Sequence, residues 1–175
     1  MYQKISEIED LVSVINSEAV RNQTRLNLLF KLVYDEEGKI KIPNQYVDDI
    51  ISYCQRKSDE LEGRCENREQ GALLTYAARV AKHARRTEQA KELYEKAINF
   101  NAEKEYPLIA AKIADEAGFA MKSRELYDKI ILSYEEKKDF VSAARIAEEA
   151  GMSERANAYR ALQDRLRTMP EYLKR

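Results

Sequence analysis

The nine residues AAKIADEAG at positions 110–118 return thirty-three positions later as AARIAEEAG at 143–151, with only Lys exchanged for Arg and Asp for Glu. An earlier copy, AARVAKHA at 77–84, stands in the same phase, and KELYEKAI at 91–98 falls without gaps on RELYDKII at 124–131. Two different segments of one unit therefore recur together. Such a period marks a supersecondary unit that cannot bury its apolar face alone and is covered by its neighbours. Ala77, Ala78 and Ala81 make a narrow face on a first helix, Ala90 and Ala97 one on a second. Small side chains let two antiparallel helix axes approach closely, with Leu93 and Tyr94 filling the space beside them. Gly118 and Gly151 stand just past the first helix, where a left-handed residue closes it.

The rest of the chain is helical in composition. Five Gly, three Pro and no Trp accompany 35% charged residues, mostly straight-chain types that lose little entropy in a helix. Ile5, Ile8, Leu11, Val12, Ile15 and Ala19 predict a helix over about 3–20, and a second is expected near 26–34. Gly38 and Pro43 interrupt the pattern, with a weak hairpin signal at 32–42. Asn44 is read as the cap of a helix carrying Val47, Ile50, Ile51, Cys54 and Leu61 that stops at Gly63. From Asn67 onward six helices follow, with breaks near 87, 107, 118, 139 and 151. The expected organisation is all-α: an N-terminal helical segment, 1–66, then three helix pairs at about 74–106, 107–139 and 140–168 within 67–175, ending in a basic tail.

This arrangement resembles the tetratricopeptide-repeat family. Leu74, Ala78 and Ala81 are similar to its first-helix consensus, and Ala90, Tyr94 and Ala97 to the small, aromatic, small pattern of its second. Ala81, Ala114 and Ala147 stand where that family favours an aromatic, the period is one residue short, and Arg160 replaces Tyr94 in the third unit. Related SNAP-like solenoids are the alternative resemblance. The resemblance implies an α-solenoid that binds a peptide or protein along the groove lined by the first helices.

Arg79, Lys112 and Arg145 occupy equivalent positions there, so stacked units would align three cations. Lys112 and Arg145 have acids three and four residues on, which as ordinary helix pairs contribute about 0.2 to 0.5 kcal/mol each. Arg79 is followed instead by Lys82 and His83, with Arg85 and Arg86 beyond. Arg79, Lys82, His83, Arg86, Lys112 and Arg145 are therefore the candidate partner-binding residues, and an acidic segment is the expected partner. Tyr94 and Tyr127 recur in phase as core; Tyr76 and Tyr106 fall out of phase, open to facing a ligand or another subunit as much as to core. The basic stretch from Glu154 to the end reads first as a solvated capping helix.

A net charge of −1 supplies no global field for nucleic acid or an anionic membrane. No run reaches the length of a membrane span and the first residues lack a signal-peptide core, so a cytoplasmic location is expected. Cys54 and Cys65 fit no zinc spacing and read as free thiols. His83 is the one histidine, and no phosphate loop, metal-binding or nucleophile motif accompanies it. The expectation is a non-catalytic interaction module without cofactor, binding a protein segment or its own copy. A nucleic-acid-associated regulator using the basic patch at 79–86 and the N-terminal region is the competing reading, which net charge disfavours.

Overall fold

The computed structural model describes residues 44–61 and 68–169. The expected helices at 3–20 and 26–34, the hairpin at 32–42, Cys65 and the last six residues lie outside that range. The described residues form seven helices and no strand: α1 (Asn44–Glu60), α2 (Arg68–His83), α3 (Thr87–Glu103), α4 (Pro107–Ala117), α5 (Ala120–Glu136), α6 (Phe140–Glu149) and α7 (Ser153–Thr168). They fall into two compact units, 1–97 and 98–175, with the boundary inside α3.

In the first unit α1 lies against α2. Val47, Ile50, Ile51 and Cys54, spaced along one face of α1, are buried, which is the amphipathic pattern that drives such a helix into contact. Burial pushes the Cys54 thiol up to about 12, so at neutral pH it stays protonated and acts as a small apolar side chain. α2 is buried on more than one face: Leu73, Leu74, Tyr76, Ala77, Ala78, Val80 and Ala81 are all inside. Tyr76 is thus a core residue rather than a ligand-facing one. The hydroxyl of Thr75 bonds back to the Gly71 carbonyl at 2.7 Å, which satisfies it inside the apolar surroundings.

In the second unit α4 packs on α5, α5 on α6 and α6 on α7. The alanine faces are its core: Ala110, Ala111, Ala114, Ala143, Ala144 and Ala147 are at most 4% exposed. Ile113 and Ile146 join them from the first helices, Leu126, Tyr127, Ile130 and Ile131 from α5.

The thirty-three-residue period is written into the backbone as well. Left-handed φ angles occur at Arg85, Gly118 and Gly151 (61°, 81° and 71°), and at Glu105 and Lys138 (62° and 56°). Both sets repeat at the sequence period. After each residue of the first set the next amide closes the helix, Arg86 to the Ala81 carbonyl at 2.9 Å, Phe119 to Ala114 and Met152 to Ala147 at 2.8 Å. The carbonyls of Arg86, Phe119 and Met152 then accept the first bonds of the following helices, from Ala90, Ser123 and Ala156. One left-handed residue thus ends a helix and its neighbour starts the next, which leaves the turn almost no freedom. At Asp139 the carboxylate also accepts from the Ser142 amide at 3.0 Å, a side-chain cap at the start of α6.

A β-carbon built on Gly118 or Gly151 meets nothing within 4 Å, so the cost of alanine there is purely conformational. Gly118→Ala and Gly151→Ala are each expected to lower stability by about 1 kcal/mol, and Lys138→Gly to leave it level or raise it by up to about 1 kcal/mol. Urea unfolding midpoints measure both, and a tolerated Gly118→Ala would contradict the left-handed closure.

Candidate functional site

The six residues expected to bind a partner fall into two groups. Arg79, Lys82 and His83 lie in the second half of α2, and Arg86 in the turn after it. Arg79 is half-buried, while Lys82 and His83 are exposed. The Lys82 Nζ sits 5.7 Å from the ring centroid of Tyr94, a cation–π distance. It also stands in the last turn of α2, where the helix dipole favours a positive charge. Arg86 reaches Asp48 on α1, its Nη2 donating to Oδ2 at 2.9 Å. The basic patch read from 79–86 is therefore partly committed inside its own unit.

Lys112 and Arg145 are brought together by an acid. Glu149 accepts from the Lys112 Nζ at 2.8 Å and from the Arg145 Nη1 at 2.7 Å. The hydrogen bond from Lys112 holds its carboxyl below the usual range, with the charges of both cations adding. Arg145 pairs four residues along its own helix, as spacing suggests. Lys112 crosses from α4 to α6 instead of using Asp115 or Glu116. Two rungs of the cation ladder thus share one carboxylate on an exposed face, while Arg79 belongs to the other unit.

Beside these cations lie apolar side chains in solvent. Ile109, one turn before Lys112, is 41% exposed, and Val141, one turn before Arg145, is 62% exposed. Spacings of three and four residues put each on its cation's side of the helix. Sequence reading passed over both, because an isoleucine or valine in an alanine-rich helix reads as core.

A second regularity ties the helices of each repeat. Lys82 with Tyr94, Asp115 with Tyr127 and Glu148 with Arg160 occupy one pair of equivalent positions, and the two members of each pair act on one another: a cation over a ring, a carboxylate whose charge raises a phenol, and an ion pair. Arg160 in place of the repeated tyrosine has its reason in Glu148. Lys82, read as a partner residue because it departs from Asp115 and Glu148, also has a contact within its own unit. The columns change one member at a time: Lys82 gives way to Asp115 while the tyrosine stays, and Tyr127 gives way to Arg160 while an acid stays.

The basic C-terminal stretch is partly used in the same way. Arg155 bonds Asp128 at 2.5 Å and the Tyr159 hydroxyl at 2.8 Å, and that hydroxyl donates to Glu135. Where Tyr127, Ile130 and Ile131 line the second unit's core, the third repeat has Arg160, Gln163 and Asp164, none of them buried. Those three join Phe140, Val141 and Ala144 around an open groove of about 410 Å³. Another cleft, of about 770 Å³, lies between the Asp115–Ser123 hydrogen bond and the start of α7, with Arg155 already engaged by Asp128. Among the described residues no group of three His, Cys, Asp or Glu side chains is placed to hold a metal ion, and no helix is long and apolar enough to cross a membrane. No protein-family model, curated protein or solved structure matches the chain.

Burial, and then the charge of Asp115, push the Tyr127 hydroxyl up to about 12. The unfolded chain releases that proton near pH 10, so the stabilisation is complete below pH 10 and is lost as pH rises toward 12. Urea unfolding at pH 9.5 and 11.5 is expected to show a steeper fall for wild type than for Tyr127→Phe. Asp115→Ala, which removes the acceptor of the buried Ser123 hydroxyl as well as the carboxylate acting on the phenol, should cost about 1 to 3 kcal/mol in wild type and less in Tyr127→Phe. Equal costs in the two backgrounds would remove the pairing.

Proposed function

We propose that the chain is a short α-solenoid of the tetratricopeptide type, three antiparallel helix pairs at about 74–106, 107–139 and 140–168, and that it works as a non-catalytic protein-interaction module. Its binding face is carried by the first helices, with Lys112 and Arg145 as the charged contacts and an acidic segment of a partner protein as the ligand. The observation that carries this reading is the exposure of Ile109 and Val141 beside those two cations. Exposed large apolar residues next to exposed charges are the composition of a protein-binding surface.

The shared carboxylate of Glu149 supports the same reading. Its ion pairs are largely in solvent, with the Lys112 and Arg145 side chains more than half exposed. Such pairs contribute on the order of 0 to 1 kcal/mol, so an incoming carboxylate can exchange with Glu149 at little cost. Arg79, Lys82, His83 and Arg86 then serve more in holding the first unit than in contacting the partner.

The test is affinity capture from the native source with wild type and Lys112→Glu/Arg145→Glu, each with and without nuclease. A protein retained by wild type, insensitive to nuclease and reduced about tenfold or more by the double substitution is expected, as loss of a central charged contact would give. Capture unaffected by the substitutions would remove the face, and loss on nuclease treatment would turn the reading toward nucleic acid.

A further inference from the structure

Next to Ile109 the second unit has a cleft of about 430 Å³, within the range of sites that take a small ligand or a few side chains. Leu108 and Ile109 from α4, Ile130 from α5 and Ile146 from α6 form its apolar lining. The rings of Tyr106 and Tyr134 stand among the lining residues as well, each half-buried. Its charges are uneven: Lys129 and Lys137 against Glu105. Neither lysine is held tightly. Lys129 pairs with Glu125 at 2.7 Å along an exposed stretch of helix, with both side chains about two-thirds in solvent, and the Lys137 Nζ lies 6.0 Å from the Tyr134 ring. Exposed contacts of this kind are readily exchanged for a ligand carboxylate.

We propose that this cleft takes the anchor of the partner segment: one bulky apolar side chain, aromatic or leucine, flanked by Asp or Glu. The inference rests on the interaction-module reading and names the chemistry of its ligand. The apolar lining accepts the anchor, and Lys129 and Lys137 receive the flanking carboxylates. Ile109 joins the cleft to the face of Lys112 one helical turn further on, so a single extended segment spans both. Charge decides for this occupant: a basic segment would meet Lys129 and Lys137 with like charge, and a purely apolar one would use neither.

The probe is a fluorescein-labelled peptide with one central phenylalanine between two runs of glutamate, tested on the full chain by anisotropy. Two controls carry alanine for the phenylalanine, or glutamine for every glutamate. The first peptide is expected to bind about tenfold more tightly than either control, and Ile109→Glu and Lys137→Glu are each expected to weaken it about tenfold, the size of one lost anchor or charged contact. Both substitutions replace exposed side chains, so thermal unfolding should stay at the wild-type midpoint. Equal affinity for the three peptides, no binding by the first, or binding unchanged by both substitutions overturns the proposal. A dimer in light scattering that Ile109→Glu dissolves assigns the cleft to a second copy and overturns it too. The broader reading stands apart from these outcomes, because it falls when Lys112→Glu/Arg145→Glu leaves partner capture intact or when nuclease abolishes capture.

Discussion

An alanine offers a neighbouring helix a methyl group and little else, so two helices that meet through alanines can bring their backbones closer than leucine or isoleucine would allow. Nine such alanines, three in each of α2, α4 and α6, are at most 4% exposed. Each contributes little transfer free energy by itself. Their effect is geometric, because close approach multiplies the contacts made by everything around them, from Val80, Ile113 and Ile146 to Leu93, Leu126 and the repeated tyrosines. Close approach also leaves little slack for the connections. The left-handed residues at Arg85, Gly118 and Gly151, each followed at once by the start of the next helix, are the short turns that such packing requires.

Polar chemistry is arranged around that constraint. Bulky second-helix residues at positions 94 and 127 reach the edge of the core, where a hydroxyl needs a partner. Position 115 sets a carboxylate near the Tyr127 hydroxyl, position 82 sets a cation over the Tyr94 ring, and in the third repeat the pair becomes Glu148 with Arg160. The identities change while the contact remains, which is how a repeat diverges without losing its shape. Glu148 and Glu149 at the end of α6 sit where a helix dipole disfavours them. Lys112, Arg145 and Arg160 offset that cost, and in doing so they place a cationic, partly apolar strip in solvent.

Much of the fold was legible because it depends on periodicity and turn chemistry alone. Pro107 opens α4, Gly118 and Gly151 take the left-handed closures, and Asp139 caps α6, all readable from residue type and position. The non-glycine closures at Arg85, Glu105 and Lys138 were not legible, since no residue type announces them. The candidate site was less accessible for a related reason. Lys112 to Glu149 joins two helices and Arg86 to Asp48 a turn to a helix, and spacing within one helix says nothing about partners on another element. Lys82 stood out by its change of charge, yet its contact with Tyr94 lies across the turn. The exposure of Ile109 and Val141 escaped for the opposite reason: their residue types suggest burial, and only the position of the neighbouring helices leaves them in water.

The central claim is that the alanine faces are tightly packed contacts rather than loosely covered helix surfaces, and substitution at Ala111 tests it most directly. Ala111 is wholly buried, and leucine there keeps helix propensity while adding volume. Denaturant unfolding of Ala111→Leu is predicted to show a loss of about 1 to 3 kcal/mol, the cost of overpacking a filled site. Unchanged or raised stability would mean that the helices do not approach through their alanines, and would contradict the account.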